Sequence, residues 1–158
     1  MEQEQSGYFM KIVVDTNIVF SALLNTNGNI GKLLFDSHNY LDFYSCRYLQ
    51  MEIQNHFDKI QKYTKLTDSE IYELIRLIES RIDFIDERLL PYSIIENAKN
   101  LVADIDFDDF AFVATANYLD ATLWTGDKIL LNGLRNKEYK QVITTTELLH
   151  IVNNDYLG

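Results

Sequence analysis

The chain has 158 residues, 47% hydrophobic and 24% charged, and its 14 Lys and Arg stand against 24 Asp and Glu for a net charge of −10 at pH 7. That balance describes one folded domain with its own core and excludes a chain disordered as a whole. A field of that sign repels phosphate backbones and so excludes a non-specific nucleic-acid coat, though not an enzyme that meets nucleic acid through bound dications. One cysteine, Cys46, leaves no intramolecular disulfide framework and no thiolate metal site. Met1–Phe9 holds two glutamates and no Lys or Arg, unlike the basic start of a signal peptide. No apolar run nears the ~18–20 residues that span a bilayer, so a soluble cytoplasmic protein with no membrane partner is expected.

Lys11–Asp15 is a short apolar run ending in an acid and reads as a buried strand. Short helices are expected over Asn17–Leu24 and Ile30–Ser37, broken by the polar stretch Asn25–Asn29. Leu41–Tyr44 reads as a second strand, with Ser45 as N-cap of one long helix to Tyr63 that carries Leu49, Ile53, His56/Phe57 and Ile60. Thr67 and Glu70 have capping-box spacing before a helix whose apolar stripe is Ile71, Leu74, Ile75 and Ile78. Asp83–Ile85 is a short strand and Pro91 precedes a helix over Ser93–Val102. A helix over Asp108–Leu119, a strand Ala121–Trp124, a helix Lys128–Leu134, a strand Gln141–Ile143 and a helix Thr145–Ile151 complete the chain. Strands alternating with helices predict an α/β fold with a mostly parallel sheet covered on both faces.

Ligands of such sheets sit beyond the carboxyl ends of the strands. Asp15 closes the first strand, and Asp127 follows Leu123-Trp124-Thr125-Gly126, where Gly126 permits a tight turn. An Asp after a strand is also a common turn or cap residue. Asp109 lies within roughly 60° of Phe112, Val113 and Ala116 on an ideal helix, which aims an acid at the interior. With Asp104, Asp106 and Asp108 it makes four acids in six residues, a repulsion that a cation relieves. Glu52 borders the apolar stripe of its helix. Oxygen donors from separate elements favour magnesium or manganese over zinc. His38, His56 and His150 show no ligand spacing and read as structural or surface residues.

Four landmarks resemble the PIN-domain family of metal-dependent ribonucleases, and within it the toxin components of bacterial toxin–antitoxin pairs. They are Val13-Val14-Asp15-Thr16-Asn17, Ser45 with Glu52, Asp106-Phe107-Asp108-Asp109 leading into Phe112–Ala116, and Thr125-Gly126-Asp127. The spacings between Asp15, Glu52, Asp109 and Asp127 are 37, 57 and 18 residues. The resemblance implies a three-layer α/β/α sandwich over residues 10–158, preceded by an extension, residues 1–9, without assigned order. It implies an endoribonuclease dependent on Mg²⁺ or Mn²⁺, a cognate antitoxin protein and a homodimer. Asp15, Glu52, Asp109 and Asp127 become the metal-site carboxylates, Asp106 an auxiliary, and Asn17 and Thr125 orienting or substrate-positioning groups.

Two basic stretches offer contacts to RNA. One comprises Lys128, Arg135, Lys137 and Lys140; the other is Lys59, Lys62 and Lys65, near one helix face. A non-catalytic domain of the same fold, binding a protein or RNA partner, is the alternative from a different class. A phosphatase using an aspartyl phosphate on Asp15 is disfavoured by Asn17, which stands where one large phosphatase group places a second Asp.

Overall fold

The structure, a computed structural model, describes residues 9–156, so the segment read as an N-terminal extension lies outside the described residues except for Phe9. Five strands, β1 (Met10–Val14), β2 (Leu41–Cys46), β3 (Ile82–Ile85), β4 (Thr122–Trp124) and β5 (Val142–Ile143), form one parallel sheet in the order β3-β2-β1-β4-β5. Nine α-helices occur among the described residues. They are α1 (Thr16–Leu24), α2 (Asn29–Asp36), α3 (Arg47–Asn55), α4 (Phe57–Tyr63), α5 (Asp68–Glu79), α6 (Tyr92–Val102), α7 (Phe110–Leu119), α8 (Lys128–Asn136) and α9 (Thr145–Ile151).

Parallel strands need crossovers, and right-handed ones decide the layering. The chain steps outward from β1 to β2 to β3 through α1–α5, which therefore cover one face with α9. It then returns past β1 to β4 and β5 through α6–α8, which cover the other. The result is a three-layer α/β/α sandwich. Ile12, Val13 and Val14 have no exposed surface, as expected for a central strand buried on both sides. The direction of travel reverses between β1 and β4, and that reversal opens the crevice in which a doubly wound sheet holds its ligand.

Several local expectations need correction. The long helix after β2 is two helices broken at His56, whose backbone (φ −109, ψ 23) leaves the helical region. Ser45 is not an N-cap: it is a buried residue of β2, and its hydroxyl donates to the Val14 carbonyl at 2.7 Å. Cys46 takes the cap position without a side-chain bond, and Glu87, brought in from after β3, accepts from the Arg47 N–H at 3.0 Å. A carboxylate from elsewhere in the fold does the capping that a local serine was expected to do.

The helix expected to start at Asp108 begins as a 3-10 turn, Phe107–Asp109, and Asp109 is the N-cap of α7. Residues 111–116 are all buried, so α7 carries no stripe and is the helix packed against the middle of the sheet. Gly126 does not adopt a positive φ, and a Cβ there would meet nothing nearer than Ile18 Cδ1 at 4.0 Å, so the turn does not require glycine. The Thr67–Glu70 capping box forms as read, with bonds of 2.8 and 3.2 Å.

Candidate functional site

Because β1 and β4 are neighbours in register, with Val14 opposite Trp124, the residues following each strand emerge side by side. Asp15 and Asp127 both emerge here, and each starts a helix. Asp15 Oδ1 accepts the Ile18 N–H at 3.1 Å; Asp127 Oδ1 accepts from Ile129 and Leu130 at 2.9 and 3.2 Å. Thr125 joins the two: its hydroxyl accepts the Asp127 N–H at 3.0 Å and hydrogen-bonds the Asp15 carboxyl. Asp106 caps the 3-10 turn through the Asp108 N–H at 3.3 Å, which fixes Asp109 one turn further on.

These acids converge. Oxygens of Asp106, Asp109 and Asp127 lie within 4.8 Å of one another. Asp15, Glu52 and Asp108 line the same cleft, of about 220 Å³, with Phe112 and Asn17. Glu52, on α3, accepts from the Thr16 hydroxyl at 2.5 Å, and Tyr48, one turn earlier on the same helix, hydrogen-bonds it as well. Thr16 follows Asp15 directly, so one short segment at the end of β1 supplies an acid and orients another.

The electrostatics are those of negative charge in excess. Burial raises the Asp15 carboxyl from 3.8 to about 7, against the opposing hydrogen bonds from Thr125 and Ile18. Burial and then the charges of Asp106, Asp15, Asp127 and Glu52 raise Asp109 to about 8. Tyr48 is pushed up to about 12, by burial first and then by Glu52 and Asp108. The buried Oδ2 of Asp109 has no hydrogen-bond partner. An unpartnered buried carboxylate oxygen is costly, and here it lies beside two further carboxylates. Oxygen donors grouped in this way fit a hard divalent cation such as Mg²⁺ or Mn²⁺.

The expected auxiliary, Asp106, thus belongs to the tightest part of the cluster. Thr125 is buried between the two strand-end acids, and Asn17 is exposed on the cleft wall. The first basic stretch is not assembled at the cleft. Arg135 pairs with Glu147 at 2.7 Å and donates to the Val142 carbonyl, while Lys137 pairs with Asp104. The reason is the direction of α8: its N-cap is Asp127, so eight residues of rise carry Arg135 about 12 Å away. Lys128 remains beside Asp127 in an adjoining hollow, and Lys140 is exposed outside the cleft lining.

Sequence reasoning missed Tyr48, Phe20 and His56, while Thr16, read with Asn17 as a polar group to cap a helix or orient the Asp15 carboxylate, orients Glu52 instead. Tyr48 is four residues before Glu52 on one helix, a spacing that signals contact. His56, read as a structural or surface residue, lines the cleft at the break between α3 and α4, with its ring 6.1 Å from that of Phe20. Lys59 lines the cleft too. A larger hollow, about 960 Å³ between α1 and α5, contains none of the clustered acids and has Leu23, Leu24, Leu74 and Leu77 in its wall. The chemistry therefore assigns the site to the smaller cleft.

A family model described as PIN domain matches residues 13–149. Among solved structures, VapBC2 from Rickettsia felis bound to a DNA fragment from their promoter is similar with a TM-score of 0.62 and 17% identity, over 85% of this chain and 97% of that one. PAE2754 from Pyrobaculum aerophilum is similar with a TM-score of 0.62 and 15% identity, over 89% and 93%. A comparison with curated proteins finds no match. At these identities the structural likeness carries the fold, while the family match runs from the strand that ends at Asp15 to the last α-helix. This chain belongs to the PIN-domain family.

Proposed function

We propose that the chain is a metal-dependent endoribonuclease, hydrolysing RNA phosphodiester bonds at Asp15, Glu52, Asp109 and Asp127 with Asp106 as a fifth donor. The observation that carries the reading is the unpartnered, buried Oδ2 of Asp109 in a cluster whose carboxylate oxygens approach within 4.8 Å. Asp106, Asp109 and Asp127 would hold the first ion, with Asp15 and Glu52 in the lining of the same cleft. When bound, a divalent cation or pair of cations would activate water and stabilise the leaving oxygen.

The protein's own groups prepare this chemistry. Thr16 and Tyr48 orient Glu52, and Thr125 ties Asp15 to the Asp127 backbone. Buried Phe112 forms apolar wall behind the acids and limits water around them. Without the cation, burial and mutual repulsion favour protonation of Asp15 and Asp109; cation binding would favour their charged form.

The same reading takes residues 10–158 as one nuclease domain, acting in the cytoplasm as the toxin of a toxin–antitoxin pair, and as a homodimer. The similarity to the Rickettsia felis chain, solved as VapBC2 with promoter DNA, supports a protein partner of antitoxin type. No helix among the described residues is long and apolar enough to cross a membrane.

The test is cleavage of a panel of single- and double-stranded RNAs with Mg²⁺ or Mn²⁺, repeated with chelator and with Asp15→Asn. Chelator-sensitive cleavage that the variant lacks is the expected result. Cleavage by the variant at the wild-type rate would refute the assignment. No cleavage of any RNA, with no divalent-ion binding by calorimetry, would favour a non-catalytic domain that binds a protein or RNA partner.

A further inference from the structure

The acid cleft continues past Asn17 into a second hollow of about 230 Å³, which shares Asn17, Phe20 and Lys59 with it and extends to Ile60 and Tyr63. Lys59 is the one Lys or Arg lining either hollow. It stands beside the carboxylates but forms an ion pair with none of them among the described residues. Its ammonium instead lies 5.8 Å from the ring centroid of Phe20, which His56 contacts from the side. Four residues on, along the same face of α4, Tyr63 is 59% exposed, with Lys62 Nζ 5.6 Å from its ring centroid.

A polyanion bound at the acids needs a cation just outside the acidic zone, because the carboxylates themselves repel it. Lys59 is held in that position by Phe20 rather than by a carboxylate, so its charge is not neutralised there. An exposed ring at the far end of the same hollow suits an unpaired base, since stacking on a side chain requires a base free of its duplex neighbours. We propose that Lys59, resting on Phe20, and Tyr63 form a subsite for the nucleotide next to the scissile phosphate. Lys59 takes the adjoining phosphate and Tyr63 takes the base, which selects single-stranded RNA. The inference rests on the nuclease reading above.

The test measures binding of a fluorescent single-stranded RNA, and of a hairpin duplex, to the Asp15→Asn protein with Mg²⁺ across a salt series. Lys59→Gln should weaken single-strand binding and reduce the slope of log affinity against log salt by about 0.7, one phosphate contact on a single strand. Tyr63→Ala should weaken it roughly ten- to a hundredfold with the slope unchanged. Lys59→Arg and Tyr63→Phe should retain binding, and Lys32→Gln, on an exposed face of α2, should change nothing. In the otherwise wild-type enzyme, Lys59→Gln should raise KM and leave kcat within about twofold. Single-strand binding that survives both Lys59→Gln and Tyr63→Ala would overturn the subsite and leave the nuclease reading standing, as would equal affinity for the duplex. Failure to bind or cleave any RNA would overturn both.

Discussion

Replacing Asp15 by Asn should stabilise the metal-free protein at pH 8 and leave its stability nearly unchanged at pH 5. Asp15 is 3% exposed, and burial lifts its carboxyl from 3.8 to about 7. Between those values the folded state keeps a proton that the unfolded chain has already released. Wild-type stability therefore falls as pH rises from about 4 to about 7 and stays lowered above that range. At about 1.4 kcal/mol per pKa unit, the full displacement is on the order of 4 kcal/mol. Asn still accepts the Ile18 N–H and caps about as well as Asp, but it brings two N–H donors into a buried site where the protonated carboxyl brings one O–H, which costs roughly 1–2 kcal/mol at either pH. The net gain at pH 8 is then about 2–3 kcal/mol. At pH 5 only about a third of the displacement has accrued, and the two effects cancel. Urea unfolding in chelator, followed by fluorescence of the buried Trp124, should show a midpoint about 1 M higher for the variant at pH 8. Adding Mg²⁺ should stabilise the wild type by mass action and close the gap. Equal gains at both pH values, or a loss at pH 8, would refute the reasoning, since neither follows from the burial of one ionisable carboxyl.

Three further perturbations test other parts of the structure. Thr16→Val frees Glu52 from its hydrogen bond while keeping the shape, and should lower RNA cleavage about 10- to 100-fold with little change in thermal unfolding. Thr67→Ala dismantles the capping box of α5, far from the acids, and should cost about 1 kcal/mol in urea unfolding with cleavage unchanged. Cys46 is fully buried, and burial followed by the charge of Glu87 pushes its thiol up to about 12. At pH 8 a thiol reagent should therefore modify it no faster than the protein unfolds, and promptly in denaturant.

What could be read from the sequence was what local chemistry decides. Asp15 and Asp127 are legible because an apolar strand run stops at each. Thr67 and Glu70 are legible because a capping box spans four residues. The break at His56 has no such marker. No Gly or Pro interrupts Leu49–Ile60, the apolar spacing runs through it, and only packing against the rest of the fold decides where the helix turns. Ser45 misled for a related reason: the cap of α3 is Glu87, and a partner 40 residues away leaves no trace in a local window. The orientation of α8 likewise decides that Arg135 and Lys137 pair with Glu147 and Asp104 rather than face the cleft. Asp109 reads from the sequence as an inward acid on a helical stripe, but α7 has no stripe; its buried Oδ2 follows from the 3-10 turn capped by Asp106.

Asp15, Asp106 and Asp127 each use Oδ1 to accept backbone N–H groups at the start of a helical turn. Each side chain has thereby surrendered its rotational freedom during folding, before any ion arrives. A cation bound at this cluster would meet arms already fixed, and would pay little further entropy to order them. The same bonds make the carboxylate positions a direct readout of the main chain. A shift of β4 against β1 carries Asp127 relative to Asp15 by the same amount, with no flexible side chain between to absorb it. Substitutions deep in the sheet can therefore detune the spacing of the acids without touching any of them.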